Sequence, residues 1–249
     1  MKTTKNTILI TGGGTGMGLE AAKQFSQAGN KVIMIARNEK RLKEEAAKLP
    51  NAIAIACDLS DEQSVRSLVS TLKSEYPDLN MIFLNAGIAT NYSLLDGSNA
   101  YEISKQEMLT NYNSAVLLTH ELAPLLAVHP ESAMIITTSA VAFVPDLMHP
   151  TYSATKAALH SYILGLRLVL ERNSSSIKLF ELMAPLVDTP FSKAVKADYK
   201  MPASTIIDAL MAGLKKDEYE LHAGLTKEVF EKSQKSTQDA LKFLNSVTG

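Results

Sequence analysis

The chain has 249 residues, 46% of them hydrophobic and 20% charged, with a net charge of −1 and a pI near 6.5. A sizeable core is expected, bulk disorder is not, and the length suits one large α/β domain over 1–249. The near-neutral balance without a long Lys/Arg run points away from nucleic acid and anionic membrane surfaces, and no stretch approaches the ~18 apolar residues of a membrane span.

Lys2 and Lys5 precede the run "TILI", which is too short for a signal peptide and reads as a first strand. "GLEAAKQFSQAGN" spaces Leu19, Ala22 and Phe25 as on a helix, with Gly29 as its stop. "KVIMIA" (31–36) is a second strand, and Asn38 caps a helix through Leu49. "NAIAIAC" is a third strand, and Ser60 with Gln63 forms a capping box for a helix ending before Pro77. "MIFL" (81–84) is a strand, followed by one long helix from about Ser104 to Ala127. "AMIITTS" (133–139), a helix over about Tyr152 to Glu171 and "IKLFELM" (177–183) continue the alternation. Repeated strand–helix pairs specify a parallel sheet with helices on both faces. Residues 191–215 are polar, interrupted by Pro202, and read either as a lid over a site or as a surface helix pair. "YELHAG" (219–224) adds a last strand and "LTKEVFEKSQKSTQDALKFL" one terminal amphipathic helix.

The stretch "TGGGTGMG" (11–18) places Gly12, Gly16 and Gly18 between the first strand and first helix, where a dinucleotide pyrophosphate meets backbone N–H groups. Leu19 after Gly18 excludes a Walker A loop. An acidic residue at the end of the second strand would hold a ribose 2′-hydroxyl. Here Ala36 is followed by Arg37, whose guanidinium suits a 2′-phosphate, so NADP(H) is expected and NAD(H) is the alternative. The histidines at 120, 129, 149, 160 and 222 lack metal-ligand spacing, and no G-x-S-x-G elbow occurs. Cys57, the lone cysteine, excludes an intramolecular disulfide, fits a reducing cytoplasmic compartment and reads as buried and inert.

With "TGGGTGMG", "NAG" (85–87) and "YSATK" (152–156) in order, the chain resembles the single-domain branch of the short-chain dehydrogenase/reductase family over residues 7 to about 190. Thr15 where the family's extended branch carries glycine argues against that branch. The resemblance implies a Rossmann-type doubly wound sheet of about seven parallel strands with the cofactor across its C-terminal edge. It implies cofactor contacts from Gly12, Gly14, Thr15, Gly16, Met17 and Gly18, from Asp58 and Leu59 beside the adenine, and from Asn85, Ala86 and Gly87. Val187 and Thr189 would hold the nicotinamide carboxamide, and Asn111, Ser139, Tyr152 and Lys156 match the family's catalytic set. It also implies a homodimer or homotetramer, and pocket walls from 88–97, 140–150 and 186–205, with Met148 and Met183 at the border. Two departures stand out: Leu84 replaces the first Asn of Asn-Asn-Ala-Gly, and "APLVDT" carries Ala184 and Pro185 where Pro-Gly is usual, so that loop must take a somewhat different path.

The chemistry of the four residues supports the same reading. A carbonyl reductase needs an acid, and a free tyrosine at pKa ~10 is a slow one at neutral pH. Lys156 shares a helix face with Tyr152, so its ammonium is expected to lower the phenol's pKa and also to bond the ribose hydroxyls. Ser139 would orient the substrate oxygen, and Asn111, by resemblance, would anchor a water chain to Lys156. The expected function is hydride transfer between NADP(H) and a small-molecule carbonyl or secondary alcohol, with no metal. A non-catalytic dinucleotide-binding regulatory protein of the same fold is the alternative.

Overall fold

The computed structural model describes residues 1–93, 95 and 97–248. Strands β1 (Thr7–Thr11), β2 (Lys31–Ala36), β3 (Ala52–Ala56), β4 (Leu79–Leu84), β5 (Ser132–Ser139), β6 (Ile177–Ala184) and β9 (Glu220–His222) form one sheet in the order β3-β2-β1-β4-β5-β6-β9. Every pairing in it is parallel. The order reverses at β1, so the connections after β1 and β4 leave in opposite directions and open a crevice at their carboxyl ends.

The central strands β1, β2, β4, β5 and β6 are buried on both faces, whereas the edge strand β3 is only partly covered. Ile8, Ile10, Met34, Phe83, Ile135 and Phe180 pack on the side of α1 (Gly16–Gln27), α2 (Glu39–Ala46) and α7 (Ala203–Lys216). Leu9, Ile33, Ile82, Met134 and Leu179 pack on the other side, under α3 (Glu62–Glu75), α5 (Ser114–Ala127) and α6 (Pro150–Arg172). The near-continuous apolar strand runs follow from this two-sided burial.

Several boundaries differ from the sequence expectation. Asn38 caps α2, accepting from the Arg41 N–H at 3.0 Å, but the helix ends at Ala46 rather than Leu49. Asp61, not Ser60, caps α3, taking the Gln63 N–H at 3.1 Å, while the Ser60 hydroxyl turns back to Asp58 Oδ1 at 2.7 Å. The long helix before β5 begins earlier, at α4 (Ala100–Met108) with Asn99 as cap, and widens into a π-turn over Leu109–Asn113 before α5. The terminal helix is two helices, α8 (Thr226–Lys235) and α9 (Thr237–Thr248), separated by an extended Ser236. Residues 191–215 are only half polar. A 3₁₀ turn (Pro190–Ser192) leads to a short ladder of β7 (Val187–Asp188) with β8 (Met201–Pro202), and α7 then buries Ile206, Ile207, Leu210 and Leu214 beside α1. Of the expected pocket stretch 88–97, Leu94 and Asp96 lie outside the described residues. Among the described residues, no helix is long and apolar enough to cross a membrane.

Candidate active site

The loop after β1 is shaped by what its glycines leave out. Gly12 and Gly16 adopt φ of +70° and +55°, a left-handed conformation costly for other residues. Gly18 is needed for a different reason: a Cβ there would fall 2.3 Å from the Gly12 carbonyl oxygen. The glycines thus fold the loop tightly onto the first turn of α1. That turn holds no acidic residue, and Thr15 at its cap makes no side-chain cap bond, so no side-chain anion of the turn answers its first backbone N–H groups. Thr11 braces the opposite wall: its hydroxyl accepts from the N–H groups of Asn85 and Ala86 at 3.0 and 3.1 Å. Asn85 Oδ1 is buried without a partner among the described residues.

The other cofactor candidates follow the same edge. Arg37 leaves the end of β2 exposed, and Asp58, after β3, holds Ser60 through its backbone N–H and hydroxyl at 2.9 and 2.7 Å. Those bonds, with the Arg37 charge, keep the Asp58 carboxyl below its ordinary pKa. Leu59 is buried in the α3-side core. Gly14 lies in the loop, and Met17, in the first turn of α1, packs on the core. Val187 is buried in the short ladder, and Thr189 approaches the loop so closely that a Cβ on Gly16 would meet its Cγ2 at 3.1 Å.

Asn111, Ser139, Tyr152 and Lys156 converge at the carboxyl ends of β4 and β5. Asn111 lies in the π-turn, where the extra backbone residue re-aims its side chain. It accepts from the Ile88 N–H at 2.8 Å and donates to the Ile88 carbonyl at 2.9 Å and to Thr155 Oγ1 at 3.0 Å. Thr155 in turn donates to the Tyr152 carbonyl at 2.7 Å, which ties the π-turn to α6. Lys156 is 3% exposed and donates to the Thr137 carbonyl at 2.8 Å. Its ammonium lies 5.7 Å from the Tyr152 ring centre, and the Phe191 ring lies 5.8 Å from the same ring. A small cavity of about 10 Å³, about one water in size, is bounded by Thr11, Leu84, Asn111, Ser114, Thr137 and Leu159.

The electrostatics correct one expectation. Tyr152 is not activated by Lys156 in this arrangement. Burial pushes the phenol's pKa up, the Glu107 charge adds to this, a hydrogen bond from Ser139 works against it, and Asp146 raises it slightly further. The ammonium is spent on the Thr137 carbonyl instead of the phenolic oxygen. Burial also brings Lys156 down to about 8, with the Glu181 charge opposing the fall.

Two of those neighbours escaped the sequence reading. Glu107, in "SKQEML", looks like an exposed helix charge yet is 0% exposed, accepting from the Thr90 N–H at 2.8 Å. Glu181 interrupts the apolar run "IKLFELM", and an acidic residue in a strand buried on both faces was the available signal. Its carboxylate is 0% exposed, accepts from Thr138 at 2.6 Å and pairs with His160 at 2.9 Å, with Arg167 3.9 Å away. Cys57 is buried at 4% exposure, and burial pushes its thiol pKa up, as expected of an inert cysteine. Among the described residues no cluster of metal-ligating side chains occurs.

A glycine-shaped crevice at the sheet's switch point, beside half-buried Tyr152 and buried Lys156, is an arrangement suited to a dinucleotide-dependent oxidoreductase on a Rossmann-type fold. A family model described as "short chain dehydrogenase" matches residues 6–200. The chain belongs to the short-chain dehydrogenase family, a class of NAD(P)-dependent oxidoreductases. An uncharacterized oxidoreductase, DltE, of Bacillus subtilis (strain 168) is 40% identical over 189 residues, covering 76% of this chain and 74% of its own. A short-chain dehydrogenase/reductase from Burkholderia phymatum in complex with NAD superposes with a TM-score of 0.85 at 15% identity, covering 100% of this chain and 98% of its own. A short-chain dehydrogenase from Burkholderia cenocepacia J2315 in complex with NADP superposes with a TM-score of 0.84 at 21% identity, covering 98% and 99%.

Proposed function

We propose that this chain is an NADP(H)-dependent carbonyl reductase or secondary-alcohol dehydrogenase in which Tyr152 exchanges the proton. The observation that carries this reading is the convergence of Asn111, Ser139, Tyr152 and Lys156 on the crevice bordered by the glycine loop.

The residues fit a dinucleotide. The cradle that a Cβ on Gly18 would fill, the unanswered Asn85 Oδ1 and the free amides of α1 together suit a pyrophosphate and adjoining ribose. Gly12, Gly14, Thr15, Gly16, Met17 and Gly18 would hold the phosphates, Asp58 and Leu59 the adenine side, and Asn85, Ala86 and Gly87 the ribose side. Val187 and Thr189 would close the nicotinamide end. Arg37 favours a 2′-phosphate: it is exposed at the end of β2 and makes no salt bridge among the described residues. When bound, the nicotinamide supplies or accepts the hydride.

The chain's own groups then handle the oxygen and its proton. Ser139 donates to the substrate oxygen and orients it beside the Tyr152 hydroxyl. Tyr152 gives its proton to that oxygen in reduction and takes it back in oxidation. Lys156, whose pKa burial brings down to about 8, donates to the Thr137 carbonyl and would turn from it to the ribose hydroxyls when the cofactor binds. A cationic nicotinamide or a redirected ammonium would supply the positive charge that the phenol lacks here. Asn111 and the water-sized cavity beside it would connect Lys156 to solvent protons.

The remaining expectations belong to the same proposal: one domain over 1–249, residues 191–215 as a lid whose Phe191 ring lies 5.8 Å from that of Tyr152, a cytoplasmic protein, and a homodimer or homotetramer. Leu164, Leu168 and Val169 leave an apolar strip of α6 exposed, which supports self-association.

The test is a panel of ketones and aldehydes assayed with NADPH and NADH in parallel, using wild type and Arg37→Asp. Turnover preferring NADPH, reversed in the variant, is expected. Tight cofactor binding with no turnover of any substrate would instead favour a regulatory protein.

A further inference from the structure

Glu107 is a buried charged group that the proposed chemistry does not use and, unlike Glu181, has no cationic partner among the described residues. It sits one helical turn before Asn111, and both residues hold the same stretch of chain. Asn111 takes both polar groups of Ile88, and Glu107 Oε1 takes the Thr90 N–H at 2.8 Å. That stretch begins where Asn85-Ala86-Gly87 ends. Glu107 Oε2 is buried with no hydrogen-bond partner among the described residues, and Glu107 has no salt bridge among them. An acceptor left unanswered in the interior costs on the order of 1–3 kcal/mol, more for a charged group. The fold retains it nonetheless, where α4 packs against α6.

We propose, resting on the reading of Tyr152 as the proton donor, that Glu107 is a positioning residue for the proton transfer: its buried carboxylate ties the 88–90 connection to α4 and brings a negative charge to the face where α4 packs on α6, the helix that carries Tyr152. The groups facing Tyr152 make the case specific. From α6 comes Lys156, whose ammonium is held by Thr137. From β5 comes Ser139, a neutral donor, and from the 3₁₀ turn comes Phe191, an apolar ring. The loop before α6 brings Asp146, but that carboxylate is engaged by His149 at 2.8 Å and by the Met148 N–H at 2.8 Å. Glu107 is the carboxylate with an uncommitted oxygen, and after burial its charge is the largest influence holding the proton on Tyr152. With the Lys156 ammonium held by the Thr137 carbonyl, the phenol stays protonated and fit to donate. Ionisation then waits for a cation to enter the site.

Glu107→Gln tests this, because the amide oxygen still accepts from Thr90 while the charge is gone. The pH profiles of carbonyl reduction and alcohol oxidation are measured beside calorimetric counts of protons released on NADP⁺ binding at each pH. Removing a negative neighbour eases ionisation, so the alkaline limb of reduction, the acid limb of oxidation and the proton-release curve all move to lower pH, on the order of one unit. NADPH affinity and melting temperature should stay near wild type. Unmoved limbs and an unmoved release curve in an active, folded variant overturn the inference, whereas absence of turnover in wild type overturns the proposed function instead. Should Glu107→Gln not fold, Glu107→Asp, which draws the charge back toward α4, goes through the same two measurements, and unchanged curves there overturn the inference equally.

Discussion

Gly18→Ala asks whether the loop after β1 is a cradle or merely a turn. A Cβ at Gly18 would lie 2.3 Å from the Gly12 carbonyl oxygen, 2.7 Å from its carbon and 2.8 Å from Asn85 Nδ2. Two of these atoms are backbone, so side-chain rotation does not relieve the overlap, and the loop must retreat by roughly 0.7 Å or more, an overpacking cost of about 1–3 kcal/mol. Hydrogen-bond distances span a window only about 0.5 Å wide, so such a retreat takes at least one amide out of reach of a phosphate. One charge-assisted bond is worth about 1.5–3 kcal/mol, which weakens NADPH binding roughly 10- to 100-fold. The accompanying loss of stability lowers the melting temperature by about 2–10 °C. Gly14→Ala is the matched control: its Cβ would meet only Ala36 Cβ at 3.5 Å and Leu42 Cδ1 at 3.6 Å, both ordinary contacts. Fluorescence titration with NADPH and thermal melting of both variants decide the matter. Equal damage from the two substitutions, or wild-type binding by Gly18→Ala, would refute the geometric argument.

Two further predictions concern pH. Burial lowers Lys156 from its ordinary 10.5 to about 8, so between those values the unfolded chain holds more protons than the folded one, and the lysine's burden on stability lifts as pH rises. Denaturant unfolding of the cofactor-free protein against Lys156→Met should show wild type gaining up to roughly 3 kcal/mol on the variant across that window, and a flat difference would contradict it. His160 shifts the other way: its bond to Glu181 raises its pKa, so the pair stabilises fully below the unfolded value of 6.5 and fades as pH climbs through the folded one. His160→Gln should therefore cost about 1–3 kcal/mol at pH 6 and less at pH 9 by urea unfolding, because Glu181 stays buried with only Thr138 and Arg167 beside it.

The architecture was legible because strand and helix periods alternate cleanly, and a run such as "KVIMIA" admits little besides a buried parallel strand. The candidate site residues stood out as a set, since one spacing links Gly12, Gly16 and Gly18 and another links Tyr152 to Lys156. What escaped was set by tertiary neighbours. The widening of the helix at Asn111 leaves no mark on apolar periodicity, which runs smoothly through "EMLTNYNSAVLL". Ser60 and Asp61 are both good caps, and Asp58 decided between them by engaging the Ser60 hydroxyl. The direction of the Tyr152 shift failed for a similar reason. Helix geometry brings Lys156 near, but burial and a carboxylate from another helix outweigh it once Thr137 holds the ammonium.

The most direct test of the central claim pairs binding with turnover in Tyr152→Phe. Removing only the hydroxyl should leave NADPH affinity within about threefold of wild type while carbonyl reduction falls by about a thousandfold or more. Turnover within tenfold of wild type would show that another group moves the proton and would contradict the role given to Tyr152.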